Sequence, residues 1–296
     1  MNVLIFGAGG MAGHVIARRM QEKGFSVTGF ARRSLPYCNI VTGDVRDEGT
    51  IKTILKKQNF DAVVNAVGIL PGAINKNPGD GIWINSFFPH LLVKLTENTE
   101  TRIVHLSTDC VFSGHENGLY KEADFCSADD YYGRSKALGE LNDDRNLTFR
   151  TSIVGPDINE NGVGLFNWFM KQRGEVKGFR QAIWTGVTTI TLADAIEMAL
   201  AQGLTGLYHL ANNSLINKYE LLNIFNGLRA ESISVTPDDS FVVDKSLVNT
   251  RSDFRFSVPS YFEMVQEMGE WINKYKAYYP QYNMREFLDK AELWIN

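Results

Sequence analysis

The sequence predicts an α/β fold: a doubly wound parallel sheet with a smaller C-terminal α+β cap. Short, wholly apolar runs alternate with amphipathic stretches through the first half of the chain, as in a parallel sheet covered by helices on both faces. A glycine-rich turn follows the first apolar run directly. Beyond about residue 155 the alternation loosens. We therefore predict one domain over residues 1–155 and a cap over residues 156–296, with some cap segments returning to the sheet.

The elements follow in chain order. The apolar runs predict strands at residues 3–6, 26–30, 39–41, 62–66, 103–107 and 147–150. The amphipathic stretches predict helices at residues 12–23, 50–57, 87–96 and 131–141, and right-handed crossovers then give the doubly wound arrangement. In the second half we predict a strand at 206–210 and helices at 162–172, 192–201, 262–274 and 284–295. The aromatic stretch 275–282 is expected to pack on the surface, with a partner site as the alternative.

Composition excludes several classes of protein. The chain has 296 residues, of which 44% are hydrophobic, and 30 Lys and Arg stand against 34 Asp and Glu, a formal charge of −4. This much apolar material excludes a disordered chain. The mild acidity gives no electrostatic basis for binding nucleic acid or an anionic membrane. We also find no apolar window of about 18 residues, the length that a membrane-spanning helix requires.

Cysteine usage and the N-terminus indicate a cytoplasmic protein. Cys38, Cys110 and Cys126 are odd in number and lack the spacing of metal ligands, so we predict reduced thiols and no metal site. The first apolar run has no basic residues before it and ends at Phe6, which does not fit a secretory signal.

The glycine-rich turn is the strongest local motif. Gly7, Gly10 and Gly13 form the pattern G-x-x-G-x-x-G between the first strand and the first helix. Glycine permits positive φ and a close approach of the backbone to a ligand. The helix N-terminus, with Met11 and Ala12, adds free N–H groups and a positive dipole end. The motif therefore predicts a dinucleotide pyrophosphate site in a Rossmann domain, with a purely structural turn as the alternative.

The end of the second predicted strand favours NADP(H) over NAD(H). A carboxylate usually binds the ribose diol of NAD at this position, but the chain has Arg32, Arg33 and Ser34 there. A guanidinium matches a phosphate in charge and geometry, so these residues are candidates for the 2′-phosphate of NADP. A solvated basic turn is the alternative.

Further cofactor contacts are predicted where the third and fourth strands end. Asp44, followed by Val45, is placed to accept a hydrogen bond from the adenine amino group, or else to cap the next helix. Asn65, Ala66 and Val67 end the fourth strand, and the small residues there leave room for a ribose or nicotinamide. Asn85 follows at the start of the next helix, where capping the helix and holding a water molecule are equally consistent roles.

A tyrosine and a lysine supply the candidate chemistry. Tyr132 and Lys136 are four residues apart in a predicted helix, so they share one face. A nearby positive charge lowers the pKa of a phenol, which is about 10 in water. Lowering it to near 7 takes about 4 kcal/mol, at roughly 1.36 kcal/mol per pH unit. Taken alone, the pair is equally consistent with a tyrosine and a lysine that share a helix surface by chance.

Thr108 is predicted to lie beside this pair. It follows the strand at 103–107, and the ends of parallel strands share the sheet edge that carries the glycine turn. Its hydroxyl is therefore placed to bind a substrate oxygen next to Tyr132. Turn capping by Ser107 and Thr108 is the alternative.

Taken together, these motifs resemble the extended short-chain dehydrogenases/reductases that act on nucleotide sugars, and most of all the dTDP-4-dehydrorhamnose reductase family. The resemblance covers roughly residues 1–275. The motifs that carry it are Gly7-x-x-Gly10-x-x-Gly13, Asp44, Asn65-Ala66, Ser107-Thr108-Asp109-x-Val111-Phe112, Tyr132-x-x-x-Lys136, Arg150-Thr151-Ser152, Ile190–Ala195, Gly206–Leu210 and Asp244–Arg251.

The resemblance implies an NADP-dependent oxidoreductase. NADPH would reduce the C4 keto group of a nucleotide-linked 4-keto-6-deoxyhexose, for deoxysugar and polysaccharide biosynthesis. Thr108, Tyr132 and Lys136 would be the catalytic residues. Tyr132 and Lys136 would also contact the cofactor, with Lys136 holding its ribose, and Arg150 to Ser152 would lie near the nicotinamide. The substrate is expected to be linked to dTDP or UDP, and the enzyme to be a monomer or homodimer.

The same resemblance names substrate contacts and leaves alternatives open. Asp109, Cys110, Lys245 and Asn249 are candidate substrate contacts, as is Ser246. Family dehydratases carry Asp-Glu where this chain has Asp109-Cys110, which disfavours that activity, and family epimerases also differ there. An epimerase or dehydratase of the same fold, or a regulatory subunit that binds NADP without catalysis, remains the alternative.

Overall fold

The computed structural model describes residues 1–116 and 118–286. Its strands are β1 (Asn2–Phe6), β2 (Ser26–Ala31), β3 (Asn39–Thr42), β4 (Ala62–Asn65), β5 (Arg102–Leu106), β6 (Leu147–Arg150), β7 (Ile153–Val154), β8 (Glu175–Phe179), β9 (Ala182–Trp184), β10 (Val187–Thr188), β11 (Gly206–His209), β12 (Ile216–Asn217), β13 (Ser234–Asp238) and β14 (Val243–Asp244). Its α-helices are α1 (Met11–Glu22), α2 (Glu48–Lys57), α3 (Pro71–Ile74), α4 (Pro78–Ile82), α5 (Phe88–Thr96), α6 (Tyr131–Leu138), α7 (Leu165–Met170), α8 (Thr189–Gln202), α9 (Lys218–Asn226) and α10 (Tyr261–Lys274).

Seven parallel strands form the central sheet, which confirms the predicted fold class. Their order is β3-β2-β1-β4-β5-β6-β11, and every neighbouring pair is parallel. The order reverses between β1 and β4, which places a crevice at the carboxyl ends of these strands. The seventh strand comes from the second half of the chain, as expected for a segment that returns to the sheet. The division at residue 155 stays a prediction.

The core explains why the strands are apolar throughout. Along β1, Val3 and Ile5 face one buried cluster, whereas Leu4 and Phe6 face another. Both sides of the strand are thus removed from water, and each buried aliphatic side chain contributes about 1.5–3 kcal/mol. Helices α1 and α8 pack together on the first side, and Phe88 of α5 covers the second.

Beyond β7 the chain also forms short sheets, and helices α9 and α10 pack against them. Strand β8 pairs with β13, and β9 lies between β12 and β14. Helix α8 begins earlier than predicted because Thr188 caps it, accepting a hydrogen bond from Thr191 N at 3.3 Å. None of the helices in the described residues is both long and apolar enough to span a bilayer.

The C-terminal stretch differs most from expectation. Tyr275, Tyr279 and Tyr282 are buried in the main core cluster, so the prediction of surface packing was wrong. Met284 forms an isolated antiparallel bridge with Arg229 and lies outside any helix. The rest of the helix predicted at 284–295 falls largely outside the described residues.

Candidate active site

The glycine turn brings the first helix against the first strand. Gly7 has φ +83°, and a Cβ there would lie 2.9 Å from the backbone of Ala66. A Cβ on Gly13 would lie 2.1 Å from the carbonyl oxygen of Gly7. Packing alone therefore requires glycine at both positions. The close contact places the start of α1 at the reversal point of the sheet.

The start of α1 has the features of an anion site. Gly10 is the N-cap residue, and no side chain caps the helix. The N–H groups of the first turn, from Met11 to Gly13, are therefore left for a ligand, and the helix dipole favours a negative charge there. These features fit the pyrophosphate of a dinucleotide.

Arginine side chains occupy the edge of the site beside β2. Arg32, Arg33 and Ser34 are all exposed. Arg33 donates to Asn159 Oδ1 at 2.8 Å, and Asn159 Nδ2 donates to the carbonyl oxygen of Gly9 at 3.2 Å. The guanidinium thus lies beside the glycine turn, where the 2′-phosphate of a bound NADP would require it.

Asp44 is engaged in an ion pair. Arg46 binds it through two nitrogens, at 3.0 and 2.7 Å, and also contacts Asp80 at 3.1 Å. The hydrogen bonds from Arg46 lower the pKa of Asp44 to about 2. The side chain of Val45 is buried in the core, so only its backbone is open to a ligand.

A buried histidine connects two predicted site residues. His105 Nδ1 lies 3.1 Å from Asn65 Nδ2, and its Nε2 lies 3.4 Å from Lys136 Nζ. Lys136 also donates to the carbonyl oxygen of Leu106, while Asn65 Oδ1 accepts from Val67 N at 3.2 Å. The sequence analysis missed His105, although a histidine within an apolar strand is a recognisable signal.

Burial lowers the pKa of Lys136 without removing its charge at neutral pH. Its side chain is 4% exposed, and this burial lowers its pKa to about 8, a shift that the carboxylate of Glu140 opposes. Most Lys136 side chains therefore still carry a positive charge at pH 7.

Helix α6 brings Tyr132 to Thr108. Asp130 caps the helix by accepting from Gly133 N at 2.7 Å. Gly133 allows a close approach, since a Cβ there would lie 2.1 Å from the carbonyl oxygen of Cys110. The turn at 109–111, which begins with the capping residue Thr108, therefore packs directly against the start of α6.

The pKa of Tyr132 is raised rather than lowered. Burial is the main cause, the negative charge of Asp109 adds to it, and a hydrogen bond with Thr108 opposes it. The sequence analysis expected a nearby positive charge to lower this pKa, but the cost of burying a phenolate is larger here. Thr108 also donates to Asp109 Oδ1 at 3.0 Å and accepts from Cys110 N at 3.2 Å, so it caps the turn, and its role toward a substrate oxygen stays a prediction.

Two other polar side chains near the site are structural. Asn85 holds the loop after β4, since its Oδ1 accepts from Ile69 N at 2.8 Å. Arg150 is fully buried, forms an ion pair with Glu140 at 2.6 Å, and contacts His209 Nε2 at 2.9 Å. The Arg150 guanidinium is therefore engaged within the fold, and its position near the nicotinamide stays a prediction.

A cavity of about 490 Å³ adjoins this edge. Among the predicted residues it brings together Asp109, Cys110, Ser152 and Lys245. The sequence analysis missed the other residues of its lining, which all follow residue 155 in the chain: Leu165, Trp168, Lys177, Phe179, Ala182, Ile183, Trp184, Lys218, Leu222, Phe241 and Val243.

The first residue of α9 contributes a half-buried lysine to the cavity. Lys218 Nζ lies 4.8 Å from the centre of the Trp184 ring, and burial lowers its pKa to about 8, opposed by the negative charge of Asp109. Within residues 1–116 and 118–286, neither Lys218 nor Lys245 forms a salt bridge.

Asn249 and Ser246 lie apart from this cavity. Asn249 donates to the hydroxyl of Tyr208 and accepts from Arg251 N at 2.8 Å. Ser246 is fully buried and accepts from Leu119 N at 2.8 Å. Both side chains form hydrogen bonds within the fold, and their role as substrate contacts stays a prediction. No cluster of three or more potential metal ligands occurs in the part of the chain that the structure describes.

Comparisons with known proteins identify the family. A family model described as the RmlD substrate binding domain matches residues 1–246. The probable low-salt glycan biosynthesis reductase of Haloferax volcanii is 27% identical over 229 residues, 73% of this chain and 76% of that protein. The dTDP-4-dehydrorhamnose reductase of Escherichia coli is 27% identical over 232 residues, 74% of this chain and 75% of that protein.

A solved structure shares the fold at low sequence identity. The dTDP-4-dehydrorhamnose reductase of Bacillus anthracis, in complex with NADP, matches with a TM-score of 0.76 and 19% identity, covering 90% of this chain and 98% of that one. Because the family model covers most of the sequence, the chain belongs to the RmlD substrate binding domain family.

Proposed function

We propose that this protein is an NADPH-dependent reductase of the C4 keto group of a nucleotide-linked 4-keto-6-deoxyhexose, in the biosynthesis of deoxysugar polysaccharides. One observation carries the proposal: Thr108, Tyr132 and Lys136 meet where β5 ends, at the sheet edge that also carries the glycine turn. The names of the relatives, which include reductases of dTDP-linked ketosugars, support the same chemistry.

The reaction needs one hydride and one proton. NADPH, when bound, supplies the hydride to C4 and becomes NADP⁺. Tyr132 donates its phenolic proton to the oxygen, which becomes a hydroxyl, and solvent then restores the proton. The pKa of Tyr132 is raised by burial, so the phenol holds its proton at neutral pH. Thr108 orients the carbonyl oxygen, and the charged Lys136 stabilises the phenolate that forms.

The residues around the glycine turn fit NADP. The uncapped start of α1 binds the pyrophosphate, and Arg32, Arg33 and Ser34 bind the 2′-phosphate. Asn65 to Val67, Ser152 and the backbone at Asp44–Val45 border the remaining parts of the cofactor.

Replacing both Arg32 and Arg33 by Ala should reduce the preference for NADPH over NADH. A hydrogen bond to a charged group contributes about 1.5–3 kcal/mol, so the affinity for NADPH should fall by about 10- to 100-fold. Affinity for NADH, which lacks the phosphate, serves as the internal control. Fluorescence titration of both cofactors checks this, and an unchanged ratio of the two affinities would contradict the assignment.

We assign the substrate to the cavity of about 490 Å³. Trp168 and Trp184 offer flat apolar surfaces, while Lys218 and Lys245 offer positive charge for a diphosphate. Either dTDP or UDP suits such a lining. A reducing compartment such as the cytoplasm is consistent with the three free cysteines.

Replacing Lys218 by Met should raise the KM for the nucleotide sugar by about 10- to 100-fold. The substitution removes an unpaired charge from the cavity but leaves the glycine turn intact, so the Kd for NADPH should stay the same. Lys177→Met is the matched control, because Lys177 also lines the cavity but is exposed and paired with Asp238 at 3.1 Å. Steady-state kinetics that showed equal effects of the two substitutions would exclude the role of Lys218.

The structure also weighs against the dehydratase alternative. A dehydratase needs a second acid or base where this chain has Cys110. Burial raises the pKa of the Cys110 thiol to about 12, so it stays neutral and exchanges protons poorly at neutral pH. The test of the reductase is NADPH consumption with a panel of dTDP- and UDP-linked 4-keto-6-deoxy sugars. Consumption that depends on one of these sugars supports it, and isomerised or dehydrated sugar without net consumption would refute it.

A further inference from the structure

Three successive carbonyl groups of the glycine turn each accept a hydrogen bond from a side chain. Tyr37 donates to the carbonyl oxygen of Ala8 at 2.6 Å. Asn159 donates to that of Gly9 at 3.2 Å, and His14 Nδ1 lies 2.8 Å from that of Gly10. Since the peptide unit is planar, fixing a carbonyl also fixes the next N–H group. These bonds therefore set the directions of the N–H groups of residues 9–11.

His14, which bonds to the carbonyl oxygen of Gly10, is held in turn by the C-terminal aromatic stretch. Trp271 Nε1 donates to the hydroxyl of Tyr279 at 2.9 Å, and that hydroxyl lies 2.8 Å from His14 Nε2. Burial lowers the pKa of His14 to about 4, so its ring is neutral and carries one N–H. Tyr279 then donates to Nε2, and His14 Nδ1–H donates to Gly10. Every donor in this series of hydrogen bonds, from Trp271 to Gly10, therefore has an acceptor.

The other two side chains that bond to the turn, Tyr37 and Asn159, are supported by the same stretch. The ring of Tyr278 packs edge-on against that of Tyr37, with centroids 5.7 Å apart. Asn159 is bonded to Asp157 Oδ1 through its own backbone N, at 2.8 Å, and through Nδ2, at 2.9 Å.

Asp157 is itself held by the end of the stretch. Its backbone N donates to the hydroxyl of Tyr282 at 2.8 Å, and Gln281 Nε2 donates to its carbonyl oxygen at 2.6 Å. Each of the three side chains that fix the turn is therefore supported from residues 278–282.

We propose that residues 278–282 form a C-terminal clamp, a positioning element that holds the glycine turn ready to bind a dinucleotide. The clamp lies beyond the residues matched by the family model. It lowers the entropy lost when the turn orders around a pyrophosphate, because the peptide planes are already fixed. This inference rests on the proposed cofactor function.

The test removes one hydroxyl from the clamp. Tyr279→Phe keeps the ring but leaves His14 Nε2 without its donor, so the Kd for NADPH should rise by about five- to tenfold. Amide hydrogen exchange at residues 8–11 should accelerate even without cofactor. Tyr275→Phe is the matched control: its hydroxyl donates to Glu22, at the far end of α1, so it should change neither quantity.

Each outcome bears on a separate claim. Unchanged exchange at residues 8–11 in Tyr279→Phe, or an equal acceleration in Tyr275→Phe, would overturn the clamp. Wild-type protein that binds no NADPH would instead refute the proposed cofactor, while the exchange measurement still decides the clamp. If Tyr279→Phe does not fold, Tyr282→Phe removes the hydroxyl that accepts from Asp157 N and should likewise give faster exchange at residues 8–11.

Discussion

Replacing Tyr132 by Phe should reduce NADPH-dependent reduction by about 10²- to 10⁴-fold while leaving the fold and NADPH affinity intact. The substitution removes only the phenolic oxygen, so the alkoxide that forms at C4 loses its proton donor. The aromatic ring keeps its packing beside Thr108. Single-turnover reduction, followed by the absorbance of NADPH, measures the step itself, and fluorescence titration measures cofactor binding.

The adjacent tyrosine provides the control. Tyr131 precedes Tyr132 in α6 but is 56% exposed, so Tyr131→Phe should reduce the sugar at the wild-type rate. Undiminished turnover in Tyr132→Phe would exclude Tyr132 as the proton donor.

Replacing Lys136 by Met should reduce the rate by about two orders of magnitude or more, since the charge that stabilises the phenolate is lost. Its pKa also predicts the pH dependence. Burial lowers the pKa of Lys136 from 10.5 to about 8, so kcat/KM for NADPH should fall as the pH rises through about 8. Tyr132, whose pKa lies above its ordinary value of about 10, does not titrate in this range.

A second lysine with the same pKa requires a control for this assignment. The pKa of Lys218 is also lowered to about 8, but Lys218 lines the substrate cavity. Lys218→Met should therefore keep the alkaline fall in kcat/KM for NADPH, and Lys136→Met should lose it. An alkaline fall that persists in Lys136→Met would show that another group controls the rate.

The fold could be predicted from the sequence because its strongest signals are local. Each strand of the doubly wound sheet is buried on both faces, so residues such as Val3 and Leu4 must both be apolar. Gly7 and Gly13 are required by contacts within one strand–turn–helix unit, which makes their spacing recognisable. The family membership, which such motifs indicated, was confirmed by the match to the family model.

The site could be predicted only in part, because some of its features depend on distant contacts. His105, Lys218 and Tyr279 are brought to the site by segments far apart in the chain, and no spacing rule marks them. The direction of the pKa shift of Tyr132 depends on how deeply α6 buries the phenol. Asn249 and Arg150 have suitable chemistry, and the fold also engages both side chains in hydrogen bonds.

The most direct test of the central claim follows the hydride. The protein would be incubated with NADPH carrying deuterium at the transferred position of the nicotinamide, together with a dTDP- or UDP-linked 4-keto-6-deoxy sugar. NMR and mass spectrometry of the product locate the label. We predict one deuterium at C4 of the sugar for each NADPH consumed. A sugar product that carries no deuterium, or a label at any other carbon, would contradict the account.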